Sequence, residues 1–431
     1  MSMQPKVYHC DRARMIRLPK SLMVVVAAIS LTLCLCVFGQ SIGKIDITKM
    51  NPAGLLVDKY SYMSQPYSFY YFHHMDELGL RTDWVRRGDR VYSLIEPTTN
   101  FTLQYDFHGQ HYSLKEYYGR NFVTGFIVLR RNQIIDEKYF HAADRNSRFV
   151  SQSVSKSIVS ILIGAAVGQG SIKSVDDRVA SYLPYLSSSG YRDVTVKNLL
   201  QMSTGVSYSE DYRDPKSGAA LIGAALLTGH PSFKDFAASI QPTNVPPGTK
   251  FEYQSVNTQV LGLLLEKATG RRLNEYAQEK LWKKIGAQSD AFFYESKNQP
   301  DTCAFACFNS TVRDYARVGL MMLGSGSLGD TRVVSAQWVH DATTPDAPYL
   351  DAKRGGPIGG FGYAYQWWIP PGDARAFEAQ GIYGQCIYVN PSKHIVIVQT
   401  SAWPEPVSPV LAEEQQTVLE KIAAQAGQSQ P

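Results

Sequence analysis

The stretch FVSQSVSKSIVS, residues 149 to 160, sets five serines and one lysine among Val, Ile and Phe. A serine hydroxyl attacks a carbonyl only when a base within hydrogen-bond reach can take its proton. On a helix, residues three apart share a face, and of the five serines Ser153 alone lies three residues before Lys156. A helix beginning at Ser153 also places that residue's N–H among the unsatisfied donors of the first turn, where developing negative charge is favoured. This is half of an oxyanion hole. Val154, Ile158 and Val159 surround Lys156 with apolar bulk, and burial lowers a lysine pKa toward the range of a working base. The chemistry these residue types suit is acyl transfer to serine.

A second polar group stands in FEYQSVNTQVLG, residues 251 to 262, introduced by the turn Pro246-Pro247-Gly248. Tyr253, Ser255 and Asn257 precede an apolar helix. Coupled to a lysine-paired serine, Tyr253 is a candidate proton carrier. Ser255 and Asn257 are candidates to orient Lys156 or a substrate, with capping of the following helix as the alternative for each. The S-x-x-K pattern is short and recurs at Ser41–Lys44, and Gly39–Gly43 matches a G-x-S-x-G elbow. That elbow requires a strand before it and a helix after it. An apolar leader precedes Ser41 instead, so Ser41 is set aside.

The elements that must position these residues follow from the surrounding pattern. TGFIVLRRNQIIDEKYF, 124 to 140, predicts two strands joined by a turn at Arg131–Gln133, and the helix that starts near Ser153 runs to Val167, closed by Gly168 and Gly170. A Pro-punctuated middle section carries helical stretches such as TQVLGLLLEKATG and LNEYAQEKLWKKIG. IYGQCIYVN and HIVIVQTSA predict a second strand pair, and PVLAEEQQTVLEKIAAQAG a terminal helix. Strands at both ends with helices between them imply an α+β sheet domain carrying a helical subdomain.

At 431 residues, with 44% hydrophobic and 19% charged, the chain can bury a sizeable core. The net charge of +5 sits mostly in residues 1 to 39, where five cations (Lys6, Arg12, Arg14, Arg17, Lys20) against Asp11 give +4 and leave +1 for the rest. That remainder gives no support to a nucleic-acid partner. The basic segment is followed by an apolar run from Leu22 to Phe38, which suits a secretory leader, with an uncleaved inner-membrane anchor at 22–38 as the alternative. A periplasmic or secreted location is expected. Cys303, Cys307 and Cys386 are an odd count for an exported chain. Cys303 and Cys307 are near enough to pair locally, but the expectation is small buried side chains.

With these residues in hand, the chain resembles the serine hydrolases related to class C β-lactamases and D-Ala-D-Ala carboxypeptidases, especially the branch with 6-aminohexanoate-dimer hydrolases and esterases. The resemblance runs from about Thr124 to the C-terminus and is carried by SVSK, NLLQMSTGVSYSEDYRDP, Tyr253-Gln254-Ser255, STVRDYARVG and YAYQWWIP. MDELGLRTDWVRRG, further upstream, resembles exported members of the branch. The resemblance implies a β-lactamase/penicillin-recognising fold, an antiparallel sheet flanked by helices. It divides the chain into a leader or anchor at 1–43, an extension at 44–118 and a hydrolase domain at 119–431, with a helical subdomain at about 172–300. It also implies Ser153, Lys156 and Tyr253 as catalytic residues.

Where the family carries Lys-Thr-Gly or His-Thr-Gly, this chain has Ala379-Gln380-Gly381. The family's cation there helps to hold a substrate carboxylate, a task that Ala379 lacks the charge to do. Gly381 allows close backbone approach, the resemblance makes the Ile382 N–H the second oxyanion donor, and Tyr383 is a candidate to line the cleft. Trp367 and Trp368 are candidates for the cleft wall, with core packing the expected role.

The expected function is hydrolysis of a small-molecule amide or ester through a Ser153 acyl-enzyme. One alternative is carboxypeptidase or weak β-lactamase action, with Arg313 or Arg354 supplying the missing cation. The other is a non-catalytic binding protein of the same fold. No cofactor or metal is expected. His73, His74, His108 and His111 lack the partners of a metal motif, and the Gly-rich RGGPIGGFG at 354–362 lacks the lysine and strand-then-helix setting of a phosphate loop.

Overall fold

The computed structural model describes residues 62–97, 101–297, 300–354, 357, 360–372 and 375–428. The leader, Ser41 and part of the Gly-rich segment lie outside the described residues. Among the described residues no helix is long and apolar enough to cross a membrane.

The fold centres on an antiparallel sheet of seven strands. In chain order they are β1 (Val123–Arg130), β2 (Gln133–Tyr139), β3 (Gly362–Tyr363), β4 (Trp368–Ile369), β5 (Phe377–Gly381), β6 (Gln385–Asn390) and β7 (Ile395–Ser401). Their order across the sheet is β3-β4-β5-β6-β7-β1-β2. The N-terminal hairpin thus joins the C-terminal strands directly, with Val128 opposite Ile397 and Ile127 opposite Val398.

Both faces of the central strands are apolar because both are covered by helices. Ile127, Leu129, Val396 and Val398 point into one core, and Phe126, Val128, Ile395 and Ile397 into the other, as the two-residue period of a strand requires. The first face packs against α1 (Val154–Gly168) and α3 (Val312–Leu323), and the second against α4 (Pro409–Gln428) through Val418, Leu419 and Ile422. Each such aliphatic side chain withdrawn from water contributes about 1.5–3 kcal/mol. Helix α2 (Ser255–Thr269) and the shorter helices Val196–Leu200, Gly218–Thr228, Phe233–Ser239 and Leu273–Ala277 fill the section between the two halves of the sheet.

The extension is woven into this frame. Thr82–Val85 pairs with Ala291–Tyr294 in a second, four-stranded sheet whose other members are Phe149–Val150 and Asn309–Ser310. Val150 donates its N–H to Phe72 O at 2.8 Å, and Ser151 donates to Phe308 O at 2.8 Å. The chain entering α1 is therefore held from both sides.

Two expectations change. Residues 382–384, read as the start of a strand, form a tight turn with Tyr383 at φ 63°. Cys303 and Cys307, expected as unlinked side chains, are joined in a disulfide, because the local turn brings their Cα atoms to 5.6 Å. Cys386 is the free, buried cysteine of the described residues.

Candidate active site

Ser153 stands at the N-cap of α1, yet its hydroxyl is not spent on capping: its φ and ψ of −65° and −6° are already helical and no side-chain cap bond forms. The hydroxyl faces Lys156 instead, whose Nζ lies 2.8 Å from Ser153 Oγ and 2.9 Å from the carbonyl oxygen of Phe305. The helix supplies the spacing, since one turn stacks position 156 over position 153. Gln152, just before Ser153, sits at φ 45°, a left-handed conformation that costs a non-glycine residue of order 1 kcal/mol. It is held there by the Ser155 N–H and the Ser151 hydroxyl, both donating to its carbonyl. A sharp turn thus presents the serine at the head of the helix.

Lys156 is 1% exposed. Burial lowers its pKa to about 8, with the negative charge of Glu210 opposing the shift. A lysine in that range holds roughly a tenth of its population neutral at pH 7, enough for a base. The Tyr253 ring stands 5.1 Å from the Lys156 amine. Burial and the charge of Glu210, opposed by the Ser153 side chain, push the Tyr253 hydroxyl well above its ordinary pKa. It is a phenol at neutral pH, suited to passing protons on rather than removing one as a tyrosinate.

Glu210 was not identified from the sequence. Its carboxylate accepts from the Ser255 N–H at 2.7 Å, the Ser255 hydroxyl at 2.5 Å and the Tyr212 hydroxyl at 2.9 Å. It thereby caps the start of α2 from a distant loop and carries its charge to Lys156 and Tyr253. No local pattern links it to Ser255, 45 positions along the chain.

The remaining candidates divide. Ser255 bonds Glu210, not Lys156, and does not cap α2, whose N-cap is Gln254. Asn257 is fully buried and bonds Tyr191, Thr204 and Gln254, which ties loops of the middle section to α2 and involves no bond to Lys156. Gly381 has its expected closeness: a Cβ there would stand 2.6 Å from Ser151 O, so only glycine lets the end of β5 close on the serine turn. Ile382 follows directly. Among the described residues no protein group accepts the N–H of Ser153 or of Ile382. Tyr383 packs its ring against Phe72 at 5.3 Å and is 6% exposed. Trp367 is in the core, as expected, whereas Trp368 stacks on Tyr253 at 5.6 Å with Phe251 and Tyr363 beside it.

Ala379 is fully buried and Gln380 turns its amide to Glu378, 2.7 Å away. Arg313 is held by Glu96 and Glu137 in bonds of 2.6 to 2.9 Å. Arg354 lies 3.8 Å from Asp351 on the surface. Arg313 is thus committed to its two carboxylates. Of the histidines, His108 and His111 face Glu413 and Asp106 on the surface, His74 stacks on Tyr70, and His73 lies tilted against His74. Among the described residues, no group of three or more His, Cys, Asp or Glu side chains is placed to hold a metal ion.

An antiparallel sheet between helices, with a lysine-paired serine at a helix head, defines a serine hydrolase of the β-lactamase fold. The Beta-lactamase family profile matches residues 121–419, and the chain belongs to that family. It is 32% identical over 295 residues to the 6-aminohexanoate-dimer hydrolase of Paenarthrobacter ureafaciens, covering 65% of this chain and 73% of that one. A candidate 6-aminohexanoate-dimer hydrolase from Bacillus anthracis has the same fold, with a TM-score of 0.77 at 24% identity over 87% of this chain and 98% of that one. A family VIII carboxylesterase shares the fold at a TM-score of 0.56 and 17% identity, over 71% and 96% of the two chains.

Proposed function

We propose that this protein is an exported hydrolase that cleaves a small amide or ester through an acyl-enzyme on Ser153. The observation that carries the reading is the 2.8 Å approach of a buried lysine amine to the Ser153 hydroxyl. Neutral Lys156 takes the hydroxyl proton as Ser153 Oγ attacks the substrate carbonyl. The N–H groups of Ser153 and Ile382 receive the oxyanion. Tyr253 gives its proton to the leaving amine or alkoxide and is reprotonated from Lys156. Water, deprotonated by the same pair, then attacks the acyl-enzyme, and release of the acid restores Ser153.

The similarity to a 6-aminohexanoate-dimer hydrolase supports a linear amide, and the shared fold of a carboxylesterase supports an ester. Ala379 and the engaged Arg313 weigh against carboxypeptidase or β-lactamase action, because neither offers a free cation to the substrate carboxylate. The intact Ser153, Lys156 and Tyr253 weigh against a binding protein without turnover. The basic and apolar leader supports export, and so does the disulfide, which persists in oxidising compartments.

Intact-mass labelling with a fluorophosphonate tests the reading. One adduct mapped to Ser153 and missing in Ser153→Ala is the expected result. No adduct, or one elsewhere, would restore the non-catalytic binding protein.

A further inference from the structure

The disulfide closes the five-residue loop Cys303–Cys307, CAFAC, and the middle residue of that loop is Phe305, whose carbonyl oxygen receives Lys156 Nζ at 2.9 Å. The loop is gripped along its length by the two helices that frame the site. Ser155, next to Lys156 on α1, donates its hydroxyl to Ala304 O at 2.8 Å. Gln259 on α2 donates its amide to Thr302 O at 2.9 Å and accepts the Ala304 N–H at 2.9 Å. Gly262, one turn further along α2, lets the loop lie on the helix, since a Cβ there would stand 2.7 Å from Ala304 Cβ.

The consequence for Lys156 is geometric. A neutral amine has two N–H bonds and one lone pair, and as a base it must aim the lone pair at Ser153. Rotation about the Cε–Nζ bond is fixed only by where an N–H is received. Phe305 O is the backbone acceptor for the amine, so its position sets the direction of the lone pair. The bridge spans a short loop, which places its chain-entropy contribution to stability at the small end of the disulfide range. What it fixes is the carbonyl between its two ends.

We propose that the Cys303–Cys307 disulfide is a positioning device for the Lys156 base, holding the Phe305 carbonyl so that the amine keeps its lone pair on Ser153. The proposal rests on the serine hydrolase reading above. Phe305 and the two cysteines act through Lys156 and touch no reacting atom.

The test is the rate of fluorophosphonate acylation against pH for the parent, for Cys303→Ser/Cys307→Ser and for Ser155→Ala, with bridge status read by intact mass and folding by circular dichroism. A backbone carbonyl favours the ammonium form, so releasing it lowers the midpoint of the acid limb, and misaiming the lone pair lowers the plateau rate by about 10- to 100-fold. The cysteine variant is expected to show both effects. Ser155→Ala, which loosens the same loop with the bridge intact, is expected to move the midpoint the same way by less, and it carries the test where the cysteine variant does not fold. Plateau and midpoint unchanged in a folded variant overturn the proposal, as do two free thiols in parent protein expressed in an oxidising compartment. An unlabelled parent with its bridge intact overturns the serine reading itself, a pattern distinct from a labelled parent whose variants match it.

Discussion

The amine of Lys156 stands between the Ser153 hydroxyl, 2.8 Å away, and the Phe305 carbonyl, 2.9 Å away, with 1% of the residue exposed to water. A lysine held so is costly to fold. Its folded pKa of about 8 lies below that of an exposed lysine, so between pH 8 and 10.5 the unfolded chain binds more protons and stability rises with pH. At neutral pH the native state forgoes roughly 3 kcal/mol by this shift. Lys156→Met is therefore expected to abolish turnover while raising stability at pH 7 by about 1–3 kcal/mol, the gain shrinking as pH approaches 10. Thermal unfolding at a series of pH values checks it, and destabilisation at pH 7 would contradict the cost assigned to the buried amine.

The same titration sets the activity profile. With neutral Lys156 as the base, kcat/KM falls about tenfold per pH unit below roughly 8. Glu210 raises the Lys156 pKa by its charge, so Glu210→Gln, which keeps an acceptor for the Ser255 N–H, is expected to move the acid limb to lower pH. Stopped-flow hydrolysis of an activated ester across pH 5 to 10 reads both curves. An acid limb in the same place in both proteins would remove Glu210 from the electrostatics of the base.

Tyr253→Phe separates attack from leaving-group protonation. The variant keeps the aromatic stack on Trp368 and loses the hydroxyl that reaches Ser153. Turnover of an amide is expected to fall by 10²–10⁴, whereas a p-nitrophenyl ester, whose leaving group needs no proton, falls by less than tenfold. Equal losses on both substrates would mean that Tyr253 serves the attack instead.

Gly381→Ala probes the closeness of β5 to the serine turn. The backbone at 381 is extended, at φ −135°, so alanine is conformationally acceptable, but its Cβ would meet Ser151 O at 2.6 Å. The strand end must withdraw and take the Ile382 N–H with it. A drop in kcat of about 10²-fold with the variant still folded is expected, because losing an oxyanion donor costs that much. Parent-like kcat would show that Ile382 is not the second donor.

The pairing of Ser153 with Lys156 was legible because it is local. A helix fixes what lies three residues on, and the apolar neighbours of Lys156 announce its burial before any coordinates exist. The hairpin at 123–139 and the terminal helix were legible for the same reason, each being a periodic run bounded by turn residues. Trp367 and Trp368 show where this ends: adjacent strand residues face opposite ways, and nothing local says which of them meets Tyr253. Ser255 and Asn257 were read as orienting Lys156 or a substrate, or else capping the helix, but their bonds run to Glu210 and to Tyr191 and Thr204, in loops far away in the chain that packing brings onto α2.

The sequence by itself determined the pairing of Ser153 with Lys156, the departure at Ala379 and the α+β order of elements, since each follows from residue type and short-range spacing. Tertiary structure alone decided that Glu210 lends its charge to Lys156, that Cys303 and Cys307 pair, and that the carbonyl between them receives the amine. The physical reason is range. Helical and strand periods reach a few residues, whereas Lys156 is tuned by Glu210, itself held by Ser255 45 positions away, and by the Phe305 carbonyl 149 positions away, which only the packed core brings together.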